Sequence, residues 1–166
     1  MRFPSLVALV SLASCAFAQD TSIADVVTAF NNANVPNAFG IRFNPTALLQ
    51  VTFTRNGVPT TFSSGTNVPR DATAPVPTFK LVGASDPGPY VIATVDPDGG
   101  QFGHPSPGAG NPAHRYVFWA FKQSPNFNEQ RLVTAQTYIG NWNLSSFAAQ
   151  TGLGDPVAAS FMLVRQ

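Results

Sequence analysis

The chain has 166 residues, with 9 basic and 8 acidic side chains, two histidines and one cysteine. Charge this sparse and this balanced leaves no electrostatic footprint for nucleic acid or an anionic membrane surface. A lone cysteine excludes an internal disulfide framework, a CxxC redox site and a cysteine zinc site, and two histidines exclude a multi-histidine zinc centre.

Met1-Arg2 supplies a basic start, Leu6 to Ala13 an apolar stretch, and Ala16-Phe17-Ala18 a small-x-small sequence before Gln19. This is the pattern of an export signal cleaved after residue 18. The apolar run is about half the length of a membrane-spanning helix, and no later segment approaches that length. The expected mature chain, residues 19–166, is long enough for one domain with a sizeable core and short for two. Cleavage also removes Cys15 and Arg2, leaving 8 basic and 8 acidic residues and no thiol nucleophile. The expectation is a soluble, secreted, extracellular single domain held by packing alone.

Within residues 21–34, Ile23, Val26, Val27 and Phe30 recur at i, i+3, i+4 and i+7, which predicts a helix with one apolar stripe. Ser22 and Asp25 form a capping-box pattern, and Asn34-Val35-Pro36 is read as the stop. At residues 46–54 the period changes to two: Leu49, Val51 and Phe53 alternate with Gln50, Thr52 and Thr54, a strand with one wet face. Asn56-Gly57 predicts a tight turn into a short return strand at 60–62. Residues 63–77, rich in Ser, Gly, Ala and Pro, read as an extended connection before a short strand at 79–82.

Tyr90 to Val95 and Tyr116 to Phe121 are apolar at consecutive positions, of strand length and rich in β-branched or aromatic residues. Taken literally, the pattern covers both faces and puts both strands at the centre of a sheet. A looser alternation predicts another strand at 131–139. Asn143 to Gly152 reads as a two-turn helix with a polar cap and a C′ glycine, and Val157 to Val164 as a last buried strand. Asn143-Leu144-Ser145 is the one glycosylation sequon, since Asn44-Pro45-Thr46 fails through its proline.

The chemistry concentrates between Val95 and Tyr116. Asp96-Pro97-Asp98 follows one apolar strand at once and His114-Arg115-Tyr116 leads into the other. Charged groups at the ends of buried strands need partners: either they satisfy one another or they present a ligand site.

Three stretches carry a resemblance. Tyr90 to Asp98 is a strand running into Asp-Pro-Asp. Pro105 to Phe118 is a proline-rich lead-in to His114-Arg115-Tyr116. The third is the ending Thr151 to Ala158 with Phe161 to Val164. Together they resemble the phosphatidylethanolamine-binding protein family, in the form of its secreted fungal-type members, over nearly the whole mature chain. The resemblance implies a mostly β fold, an antiparallel β-sandwich with a large central sheet, a second small sheet and a few short helices. It also implies a shallow anion pocket for a phosphate or phosphoethanolamine-type head group. Carried over by position, Asp96 lines that pocket and orients the histidine, Asp98 holds the loop, His114 donates to phosphate oxygens, and Tyr116 contributes at the wall. An imidazole held by a carboxylate is a good donor to an oxyanion.

The sequence also departs from the family. Gly99-Gly100 stands where the family has Ala-Pro, and only 15 residues separate Asp98 from His114. The family places a buried strand there, with its own pocket histidine. Residues 99–112 hold five glycines and three prolines and cannot supply one. His104 is the only substitute ligand. Two accounts fit: the flanking strands pair directly in a sheet one or two strands short, with a reshaped pocket, or the sequence is a truncated or mis-spliced product without a working pocket.

The leading reading is a non-catalytic binding protein for a phosphorylated head group. The alternative is an inhibitor of a protease (a carboxypeptidase) or a kinase, acting through a protein partner at loop 99–112. Catalysis by Asp96, Asp98 and His114 on a divalent metal, or by an Asp-His pair activating Ser106, lacks any nucleophile elbow, His-Glu-x-x-His or phosphate-loop motif. The reading is therefore not an enzyme, with no cofactor and no metal.

Overall fold

The computed structural model describes residues 18–98, 105, 107–138, 140 and 142–166. Helix α1 spans Ile23–Asn32; the Ser22 hydroxyl caps it by accepting from the Asp25 N–H at 3.3 Å, and Val26 and Phe30 form its buried stripe. The helix stops just ahead of Asn34-Val35-Pro36, as expected, and a second helix follows at once. Asn34 turns left-handed (φ 53°), and a second short helix, α2, runs Val35–Phe39. A proline ends a helix only when it removes an intrahelical bond. Pro36 sits in the first turn of α2, where its missing N–H costs nothing.

Strand β1 (Leu48–Arg55) keeps the expected alternation, with Leu49, Val51 and Phe53 buried and Thr54 exposed. Asn56 and Gly57 both take positive φ (51° and 78°), the backbone of a type I′ turn, and return the chain as β2 (Val58–Thr61). The connection that follows contains a two-residue strand, β3 (Thr66–Asn67), and a 3-10 turn at Arg70–Thr73. Next come β4 (Thr78–Val82), β5 (Tyr90–Val95), β6 (His114–Lys122), helix α3 (Leu144–Thr151) and β7 (Ala158–Val164).

Two sheets result. The smaller, in the order β2-β1-β4, is antiparallel; the larger, β3-β7-β6-β5, is antiparallel except for the parallel β3–β7 pair. The strands flanking the Gly/Pro-rich segment pair directly, β5 along its whole length, from Tyr90 opposite Lys122 to Val95 opposite Val117. This is the narrower-sheet arrangement of the two weighed above.

Strand β6 organises the layers. Tyr116, Phe118 and Ala120 face the smaller sheet and pack with Leu49, Val51 and Phe53. Val117, Trp119 and Phe121 face the helices and pack with Val26, Phe30 and Phe147. The order of layers is therefore small sheet, large sheet, helices. The Trp119 ring meets Phe30, Phe39 and Phe43 edge-on at 5.4 to 5.8 Å between centroids.

Two expectations fail. Strand β5 lies at the edge of its sheet, not the centre, and Val91, Ile92 and Thr94 are only half-buried. Consecutive apolar residues report covered faces, which does not require a second neighbouring strand. No strand forms within 131–138, and Ile139 lies outside the described residues. There the backbone bonds to side chains instead. Val133 N–H donates to Gln130 Oε1 and Thr134 N–H to Thr137 Oγ1, contacts that compete with sheet pairing.

Phe30 is fully buried and touches the rings of Phe43, Trp119 and Phe161. Truncation to alanine leaves a cavity between helix layer and sheet. Phe30→Ala is expected to lower unfolding free energy by about 3–5 kcal/mol, read from the denaturation midpoint at unchanged slope.

Candidate functional site

Antiparallel pairing places the end of β5 beside the start of β6, so Asp96-Pro97-Asp98 meets His114-Arg115. Successive residues of a strand point to opposite faces, and the two basic residues accordingly take different carboxylates. His114 shares its face with Tyr116 and Phe118; Arg115 shares the helix-side face with Val117 and Trp119.

On the first face, His114 Nδ1 lies 3.0 Å from Asp96 Oδ2, with the side chains 14% and 6% exposed. The carboxylate only accepts, so Nδ1 donates, and the ring's Nε2 is the nitrogen left for a ligand. The other carboxylate oxygen of Asp96 accepts from the Asp98 N–H at 2.9 Å and fixes the turn. The Tyr116 ring lies 6.4 Å from that of His114, at an interplanar angle of 21°. Tyr116 itself is buried in the core between the sheets.

On the second face, the Asp98 carboxylate accepts from the Arg115 backbone N–H and Nε at 2.8 Å, and from Nη2 at 2.5 Å. This is a two-pronged guanidinium–carboxylate clamp. Arg115 Nη1 also donates to the Ala33 carbonyl at 2.8 Å, past the end of α1. One side chain thus ties β6, the 96–98 turn and the helix layer. Burial pushes the Asp98 carboxyl up, but the Arg115 side-chain bonds, its backbone N–H and its charge outweigh burial and hold it below the ordinary value of 3.8. The Asp98 bonds in turn hold the guanidinium above its ordinary range.

The four expected ligand-binding residues are therefore brought to one end of the β5–β6 pair, but in different settings. Asp96 and His114 face each other, Asp98 is engaged by Arg115, and Tyr116 is a core residue beside the imidazole. His104 and Ser106 lie outside the described residues. Among the described residues no group of three or more His, Cys, Asp or Glu is placed to hold a metal. The tie made by Arg115 is the contribution that motif reasoning missed; its position next to His114 on the opposite strand face was the available signal. Farther along the first face, an apolar cavity of about 180 Å³ is lined by Phe53, Val76, Phe79, Thr94 and Phe118, among others.

Asn143 lies elsewhere, at the N-terminus of α3, where its Oδ1 accepts from the Ser146 N–H at 2.8 Å. At the other end of α3, Gly152 takes φ 69°, the left-handed closing position expected of a C′ glycine.

No family model matches the chain, and no curated protein matches it in sequence. Twenty-five chains of solved structures match in fold. One is the crystal structure of carboxypeptidase Y inhibitor complexed with the cognate proteinase, superposed with a TM-score of 0.66 at 15% identity, over 86% of this chain and 96% of that one. The likeness is one of fold: the chain has the mostly β sandwich of the phosphatidylethanolamine-binding proteins.

The Asp98 clamp has a pH signature. A carboxyl lowered in the folded state contributes stability that is full above its unfolded value and is lost as pH falls through the lowered folded value. Asp20 has the opposite sign. Burial outweighs its bonds from Ser64 and raises it, so its contribution falls as pH rises through the raised value. Asp98→Asn is expected to melt below the parent at pH 7, with the gap closing below the ordinary carboxylate range; melting curves from pH 7 into strong acid check this.

Proposed function

We propose that this chain is a non-catalytic, exported binding protein whose partner is a proteinase of the carboxypeptidase class, which it inhibits. The observation carrying this reading is the fold likeness to carboxypeptidase Y inhibitor, which extends over nearly all of that chain. Inhibition needs a shaped, rigid surface rather than catalytic groups. Three packed layers joined through β6 and the Arg115 clamp supply such rigidity.

A second reading is favoured by the Asp96–His114 pair: binding of an oxyanion of the phosphate or phosphoethanolamine type. A nearly buried carboxylate holds the imidazole in one orientation, which leaves a positioned nitrogen for an anionic oxygen. The two readings are compatible when the anion and the proteinase share a surface.

Titration of a carboxypeptidase with the purified chain, followed by hydrolysis of a peptide substrate, is expected to give saturable inhibition at a fixed stoichiometry. Undiminished hydrolysis at excess overturns the first reading. Release of the inhibition by O-phosphoethanolamine places the partner on the His114 surface; insensitivity places it elsewhere. Thermal unfolding tests the second reading. A cooperative melt is expected to gain about 2.7 kcal/mol at a ligand concentration a hundredfold above the dissociation constant, and His114→Ala abolishes the gain. An unshifted parent overturns anion binding, and a melt without a cooperative transition marks a truncated product.

A further inference from the structure

We infer that Asn143 carries an N-linked glycan, and that its amide divides two tasks, the oxygen capping α3 and the nitrogen holding the sugar. This goes beyond the proposed function and uses a different part of the molecule.

The sequon Asn143-Leu144-Ser145 is a weak signal alone and gains weight from an exposed setting. The fold supplies one. Asn143 is exposed and extended (φ −89°, ψ 97°) at the N-cap of α3, while the next residue, Leu144, is 1% exposed and anchors the turn in the core. Asn143 Oδ1 accepts two bonds, from the Ser146 N–H at 2.8 Å and the Ser145 hydroxyl at 2.9 Å. Among the described residues Nδ2 donates no hydrogen bond, so none of the contacts described is broken when that nitrogen is substituted.

The transfer balances simply. Nδ2 bonds to the anomeric carbon of a lipid-linked oligosaccharide diphosphate, the anomeric C–O bond to the diphosphate breaks, and the nitrogen loses one proton. The product is still an amide with the same oxygen acceptor, so the cap survives. An asparagine whose capping depended on its NH2 group would not have this property.

Position adds a constraint. Ser145 lines a cavity of about 240 Å³ together with Gly40 and Phe121. Phe121 stands seven positions along β6 from His114, roughly 23 Å at the rise of an extended strand. A glycan at this end leaves the Asp96–His114 end uncovered.

The test expresses the full-length chain in a eukaryotic secretory host and maps glycopeptides by mass. One glycan is expected, on the peptide containing Asn143, with an aspartate left there after enzymatic amide cleavage of the sugar. Ser145→Ala and Asn143→Asp are both expected to lose it. The glycosylated parent is expected to melt with the same chain made in a bacterial host, where Asn143 stays unmodified, since the amide oxygen caps in both, and Asn143→Ala several degrees lower. A full-length chain recovered without a glycan, in the medium or in the cell, overturns the proposal. A glycosylated parent that melts as low as Asn143→Ala overturns the division of tasks. Inhibition measured before and after sugar removal is expected to be the same; a large gain on removal overturns the placement away from the His114 end.

Discussion

Everything in this molecule leans on one strand being buried from both sides. Tyr116 to Phe121 of β6 are all within the core, alternately against the small sheet and against the helices. A strand with only one buried face would leave either the β1 face or the α1 stripe without a partner, and each is too apolar to meet water alone. The polar groups at the start of β6 inherit their placement from this alternation. His114 continues the row of Tyr116 and Phe118, and Arg115 the row of Val117 and Trp119. The two chemical settings at that end are the two faces of the core, carried one residue farther.

That continuity explains how much could be read in advance. The stripe of α1, the alternation of β1, the Asn56-Gly57 turn and the double-sided burial of β6 are all periodic features, and periodicity is local in sequence. The meeting of Asp96 with His114 was legible for a related reason: each terminates an apolar strand, and charged groups there must find partners. The edge position of β5 was not legible, because alternation reports how faces are covered and says nothing of neighbours within the sheet. The reach of Arg115 to Ala33 spans 82 residues, and no pattern within a window encodes it. The absent strand at 131–138 shows a third limit. Gln130 and Thr137 satisfy the backbone locally, so a weak apolar alternation loses to side-chain hydrogen bonds.

The fold likeness and the missing sequence match are also two sides of one physical fact. Packing constrains volume and pattern far more than residue identity. A chain 15% identical to the carboxypeptidase Y inhibitor can therefore keep its layers over most of its length. Surfaces that meet partners are not bound by that tolerance. Specificity for a proteinase or an anion rests on individual side chains, which is why a shared scaffold motivates experiments on function without replacing them.

The order of the larger sheet carries a consequence for synthesis. Strand β7, the most C-terminal of the described strands, lies between β3 and β6. A ribosome delivers residues in order at about 5–20 per second, and earlier segments ordinarily fold as they emerge. Here β3 and β6 are joined only through β7, so that part of the sheet waits for residues 158–164. Pairing on that side of β6 is therefore completed by a strand that follows it in the chain, after α3.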